Sequence, residues 1–136
     1  MNSIVKGVKD GVTPFLQENS LYKPLVKTSA TGDTYPMVVI EKSSDREVES
    51  DNTRFNVLSQ IEIELNIYAK DMTIENKKVS AKSVAEEIEE NIKRYMGGVL
   101  HLKRTYDSPT PNIDLTISRI TMRYIVKLNE RRNYIL

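Results

Sequence analysis

His101 is the single histidine of a chain without cysteine, which narrows the chemistry before any fold is considered. A metal site built on two histidines is impossible, and so is one built on thiolates. Nucleophilic catalysis by cysteine is excluded as well. A serine–histidine–acid arrangement would have to use His101, yet no nucleophile-elbow sequence accompanies it. Flanked by Leu100 and Leu102, His101 reads instead as the polar side of a strand, not as a general base. Carboxylates are the next resource. "EEIEEN" places Glu86, Glu87, Glu89 and Glu90 on a helix, where four acids together usually form a solvated face. Glu62 and Glu64, two apart in "QIEIEL", specify no metal by themselves. Gly7, Gly11, Gly32, Gly97 and Gly98 make neither a phosphate-binding loop nor a dinucleotide fingerprint. These residues point to no enzyme, no cofactor and no resident metal.

Surfaces are therefore the next place to look for function. With 20 basic and 19 acidic residues the net charge is +1, so the whole molecule has no long-range pull toward nucleic acid. Basic residues gather locally near "RYM", "LKRTY" and "NERRNY", with aromatic neighbours of the kind that stack on bases. A small nucleic-acid-binding regulatory α+β domain is accordingly one alternative. At 136 residues and 39% hydrophobic content the chain suits one domain, 1–136, with one core. No apolar run approaches the roughly 20 residues of a membrane-spanning helix, and charges interrupt the first 20 residues where a secretory signal would need an apolar stretch.

The elements that must carry these surfaces are legible in the periodicities. "LSQIEIELNIYAKD" alternates apolar Ile61, Ile63, Leu65, Ile67 and Ala69 with polar Gln60, Glu62, Glu64, Asn66 and Tyr68, the pattern of a strand buried on one face. "YPMVVIEK" is a second strand. The two pair antiparallel as 36–42 and 55–70, leaving the mixed-charge segment 43–54 as a solvated loop or contact arm. Residues 2–16 space Ile4, Val5, Val8, Val12 and Phe15 as an amphipathic helix that Pro14 should end or kink. Residues 79–98 form the clearest helix, with a stripe of Val84, Ala85, Ile88, Ile92, Tyr95 and Met96. Ser80 or Ser83 is its N-cap, Ser83 and Glu86 match a capping box, and Gly97 and Gly98 form its stop. Strands are expected at 99–107 and 113–128, with 108–112 as the loop between them. In the last strand Ile113, Leu115 and Ile117 lie out of phase with Ile120, Met122, Tyr124, Val126 and Leu128, which predicts a β-bulge near 118–119. The fold class is α+β: a mainly antiparallel sheet with two helices on one face.

This order, from "MNSIVKGVKDGV" through "YPMVVIEKSSDRE", "NVLSQIEIELNIYAKD" and "SAKSVAEEIEENIKRYM" to "ITMRYIVKL", resembles the tail-terminator (tail-completion) proteins of long-tailed bacteriophages and related prophages. The resemblance implies a virion structural protein rather than an enzyme. It implies a homo-hexameric ring capping the tail tube at the head–tail junction, assembled in the host cytoplasm. Such a ring stops tube polymerisation, meets the major tail tube protein and the head-tail connector or neck protein, and lets phage DNA pass its lumen without specific binding. Another neck or head-completion protein is the nearest alternative. On this resemblance Glu62, Glu64, Asn66 and Tyr68 become candidates for the lumen or subunit interface. Asp45, Arg46, Glu47, Glu49, Asp51 and Arg54 of the arm, with Tyr106 and Asp107 of the loop 106–112, become candidates for tube or connector contacts.

Overall fold

The alternation in "IEIELNIYA" works as a strand because its neighbours repeat it in register. The computed structural model describes residues 3–29, 32, 34–50, 57–112, 114–129 and 134–135. Within them, helix α1 (Ser3–Asn19) is followed by β1 (Leu25–Lys27), β2 (Met37–Ser50), β3 (Val57–Ala69) and the small hairpin β4 (Met72–Ile74) and β5 (Lys77–Val79). Helix α2 (Ala81–Lys93) runs into a π-helical turn at Arg94–Val99, and β6 (Lys103–Pro109), β7 (Ser118–Asn129) and β8 (Tyr134–Ile135) follow. The main sheet has the order β1-β2-β3-β7-β6, with β8 joined to β7. It is antiparallel except for β1, which runs parallel to β2. This is the expected α+β class.

Three strands share each core row. Val38, Ile67 and Ile120 form one row, and Ile40, Leu65 and Met122 the next. Ile63 with Tyr124 and Ile61 with Val126 continue it. All of these are buried, beneath Val5, Val8, Val12 and Leu16 of α1 and Val84, Ala85, Ile88 and Ile92 of α2. Both helices cover the same face, and burial of these branched side chains away from water is the main favourable term in the fold.

Several sequence expectations are corrected. Helix α1 does not stop at Pro14 but continues to Asn19; Val12 and Leu16, both fully buried, anchor the turns on either side, and packing outweighs the lost backbone bond. Segment 43–54 is not a loop through most of its length, because β2 stays paired with β3 out to Ser50↔Val57, with register shifts at Lys42/Ser44 and Glu47/Glu49. The β3/β7 ladder runs unbroken from Ala69↔Ser118 to Leu58↔Asn129, so there is no bulge at 118–119. The change of phase arises because β7 begins at Ser118 and the residues before it form a turn, in which Leu115 is 93% exposed; Ile113 lies outside the described residues. The bulge belongs to the partner strand, between Arg104 and Tyr106.

Helix α2 is capped by Ser80, whose side chain accepts from the Ser83 N–H, so Ser83 occupies the third helical position and no Ser83–Glu86 box forms. Asp71 takes a second free donor, accepting from the Ala81 N–H at 2.8 Å. That bond, with Lys78 alongside at 3.5 Å, holds the Asp71 carboxyl below its ordinary range. The far end does not stop on Gly97 or Gly98. The helix widens, Leu100 N–H bonding to Tyr95 O and Leu102 N–H to Met96 O, and the left-handed residue that ends it is His101, at φ 56°. The next strand therefore starts at Lys103 and runs to Pro109. This corrects both the 99–107 and the 108–112 boundaries and takes His101 off a strand.

Candidate functional site

No helix among the described residues covers the second face of the sheet. Its rows are set by the same register. Met37, Tyr68 and Arg119 make one row; Val39, Asn66, Thr121 and Ser108 the next; Glu41, Glu64, Arg123 and Tyr106 the third. All four candidates of the lumen-or-interface set thus lie on this face, on alternate positions of β3, because a strand sends every second side chain the same way.

The centre is a closed hydrogen-bond network. Arg123 Nε donates to Glu64 Oε1 at 2.9 Å, and Asn66 Nδ2 donates to Glu64 Oε2 at 2.9 Å. Asn66 Oδ1 in turn accepts from Thr121 Oγ1 at 2.7 Å and from Arg119 Nε at 3.1 Å. Thr110 extends the chain through a 2.6 Å hydroxyl contact with Thr121. Asn66 and Thr121 are only 1% and 4% exposed, a degree of burial tolerable for polar groups because their partners are supplied. Aromatic rings roof the arginines: Arg119 lies 5.2 Å from the Tyr68 ring centre and Arg123 4.8 Å from that of Tyr106.

Charge on this face is nearly balanced. Glu62 accepts from Ser43 at 2.8 Å and lies 3.9 Å from Arg123. Burial pushes the Glu64 carboxyl up, but hydrogen bonds from Asn66 and Arg123 outweigh it and leave Glu64 below its ordinary value. Glu41, opposite Glu64 in register, is raised by desolvation and by its bond to the Glu64 carboxylate. Glu64 is therefore the anion of the pair and Glu41 the readier proton acceptor.

A second carboxyl pair sits between α2 and β6, on the helix side of the sheet. Glu89 is pushed up to about 7, by desolvation first and then by Asp107. Asp107 lies 3.3 Å from Lys93 and 3.8 Å from Arg104. Glu87 acts differently, accepting from Ser20 Oγ at 2.6 Å, from the Leu21 N–H at 2.8 Å and from Asn91 Nδ2 at 3.2 Å, which ties the end of α1 to α2. "EEIEEN" is thus only in part a solvated face: Glu86 and Glu90 are exposed, whereas Glu87 and Glu89 are half-buried against other elements.

The tube-or-connector candidates are distributed over two strands. Asp45, Arg46, Glu47 and Glu49 belong to β2, not to a loop; Asp51 and Arg54 lie outside the described residues. Tyr106 and Asp107 belong to β6 and point to opposite faces, Tyr106 toward Arg123 and Asp107 toward Lys93. Sequence reasoning missed Arg119, Thr121 and Arg123 as members of the open face, although their alternation with Ile120 and Met122 signalled it. Among the described residues no group of three histidines or carboxylates is placed to hold a metal ion. The arrangement is an internally satisfied polar network, roofed by ring faces, on a side of the sheet that carries no helix among the described residues.

No known family model matches the chain, and a search of curated proteins finds no match.

Proposed function

We propose that the protein is a structural assembly subunit of the tail-terminator type. It caps a phage tail tube as a hexameric ring, stops tube growth and offers the surface that joins tail to head. The observation that carries this reading is the open sheet face, whose buried Asn66–Thr121 centre and stacked arginines form a stiff, charge-balanced platform instead of a reaction site. Strands of 14 and 13 residues extend roughly 45 Å, while helices of 17 and 13 residues reach only about 20–25 Å. Each of these strands is therefore longer than either helix, and the helix-free face is the one available to neighbouring subunits, to the tube protein and to the connector. The near-neutral middle of the face also suits a lumen along which DNA slides, since phosphate attraction comes mainly from Lys and Arg.

Electron microscopy of particles assembled without this chain tests the reading. The expected result is overlong tubes beside unattached heads, and, for the purified chain mixed with tube protein, a hexamer by mass photometry. Tails of normal length joined to heads would overturn it.

A further inference from the structure

The open face changes character along its length. In its middle, Glu62 and Glu64 meet Arg123. In the Glu62 row itself, where Ser43 and Arg123 engage the carboxylate, Ile125 and Lys103 lie alongside, and a cavity of about 370 Å³ opens there, lined by Gln60, His101, Leu102, Lys103, Ile125 and Lys127. Register explains the gathering: Gln60 lies opposite Lys127 on β7, and Lys103 lies opposite Ile125. The turn that ends the π-helical segment adds His101 and Leu102. Gln60, Leu102 and Ile125 are half-buried and form the floor, while His101, Lys103 and Lys127 are exposed and form the rim.

Two further observations describe its rim. Among the described residues neither Lys103 nor Lys127 has a carboxylate within salt-bridge distance, which is equally true of Lys77 on the β4/β5 hairpin, so what distinguishes the pair is that both line one cavity. His101 also occupies the left-handed region, at φ 56°, where glycine or asparagine ordinarily ends a helix. Histidine is among the non-glycine residues that adopt this region more readily, and the turn places its imidazole on the rim.

We infer that this cavity binds the phosphate of a nucleotide, either free or within a nucleic-acid strand. Two ammonium groups, with no carboxylate in salt-bridge reach among the described residues, supply positive charge with three donors each, and the Gln60 amide and the imidazole add directed donors. A phosphate offers such a set more acceptor oxygens and more negative charge than a lone carboxylate does. Leu102 and Ile125 supply an apolar strip for a sugar or base. The volume lies within the roughly 300–1,000 Å³ of small-ligand sites. With a net charge of +1 for the whole chain, attraction is local to this end of the sheet. The inference does not depend on ring assembly.

The test is an amide NMR titration of the full chain at low salt with inorganic phosphate, adenosine monophosphate and a six-residue oligothymidylate. The expected shifts centre on Gln60, His101, Lys103 and Lys127. The double variant Lys103→Glu/Lys127→Glu should lose at least about tenfold in affinity while keeping its melting temperature, and Lys77→Glu/Lys78→Glu on the β4/β5 hairpin should bind as the parent does. Tighter binding of the monophosphate than of the oligomer identifies a free nucleotide. Tighter oligomer binding, with a log–log salt slope of about −1.4 for two lysine contacts to a single strand, identifies a strand. Shifts centred elsewhere, undiminished affinity in the double variant, or inorganic phosphate binding as tightly as the monophosphate would overturn the inference. Hexamer formation is read separately, so failure here leaves the assembly reading standing.

Discussion

Leu65 and Asn66 are consecutive residues of one strand and equally inaccessible, yet opposite physics buries them. Leu65 lies between Ile40 and Met122 under two helices, and any side chain of similar volume and apolarity would serve it. Asn66 faces the side without helices and is buried by Arg119, Thr121 and Glu64, each of which it also hydrogen-bonds. The covered face tolerates changes of shape poorly and changes of detail well. On the open face both donors and acceptors must be kept, because each partner left behind is desolvated and unpaired. Two faces of one sheet thus reach the same burial with different tolerances.

The largest effect expected from breaking this comparison is on the covered side. Leu65→Ala should lower stability by about 2–5 kcal/mol in urea denaturation, with little change in the hydrogen-bonded resonances of the open face. Asn66→Leu is the matching change one residue later. It should cost about 1–3 kcal/mol despite adding apolar surface, and a neutral or stabilising result would mean that the network is ornamental.

Titration separates the faces in another way. The Glu89 carboxyl has its folded value raised from 4.5 to about 7, so between those values the native state holds a proton that the unfolded chain has released. Stability should therefore fall as pH rises from about 4.5 to about 7 and level off above. Solvent screening at this half-exposed group limits the effect to on the order of 1 kcal/mol. Glu64, held below 4.5, acts with the opposite sign: its contribution is present above 4.5 and lost as pH falls through its lowered value. Melting temperatures across this range should lose the first slope in Glu89→Gln and keep it in Glu64→Gln.

The smallest effects sharpen the helical cover. Nothing lies within 4 Å of a methyl group added at Gly7, whereas one at Gly11 would strike the Tyr95 hydroxyl, and Tyr95 is held against Phe15 with ring centres 5.2 Å apart. Gly7→Ala should stabilise by roughly 0.5–1 kcal/mol through helix propensity, and Gly11→Ala should destabilise. Thermal melts of the two single variants check the difference in sign.

How much of this was legible beforehand follows from the range of each interaction. The period of two in 60–69 and the period near 3.6 in 81–96 showed which side chains go inward, because those periods are properties of one element. The polar set Glu62, Glu64, Asn66 and Tyr68 was visible as a face for the same reason. Its partners Arg119, Thr121 and Arg123 were not, since they lie more than 50 residues away and only the β3/β7 register brings them opposite. Pro14 misled because local propensity argued for a break that docking overrode. The cavity was likewise hidden, since Gln60, Lys103 and Lys127 share no motif and His101 joins them only through the widened end of α2.

By itself, then, the sequence determined an α+β chain with one dry face and one polar face, because alternation and helical spacing act within a few residues. Only the tertiary structure decided which carboxylates are paired, which arginines lie under aromatic rings and how far β2 and β3 run. Those outcomes depend on strand register and helix docking, where a shift of one residue turns every side chain to the other face.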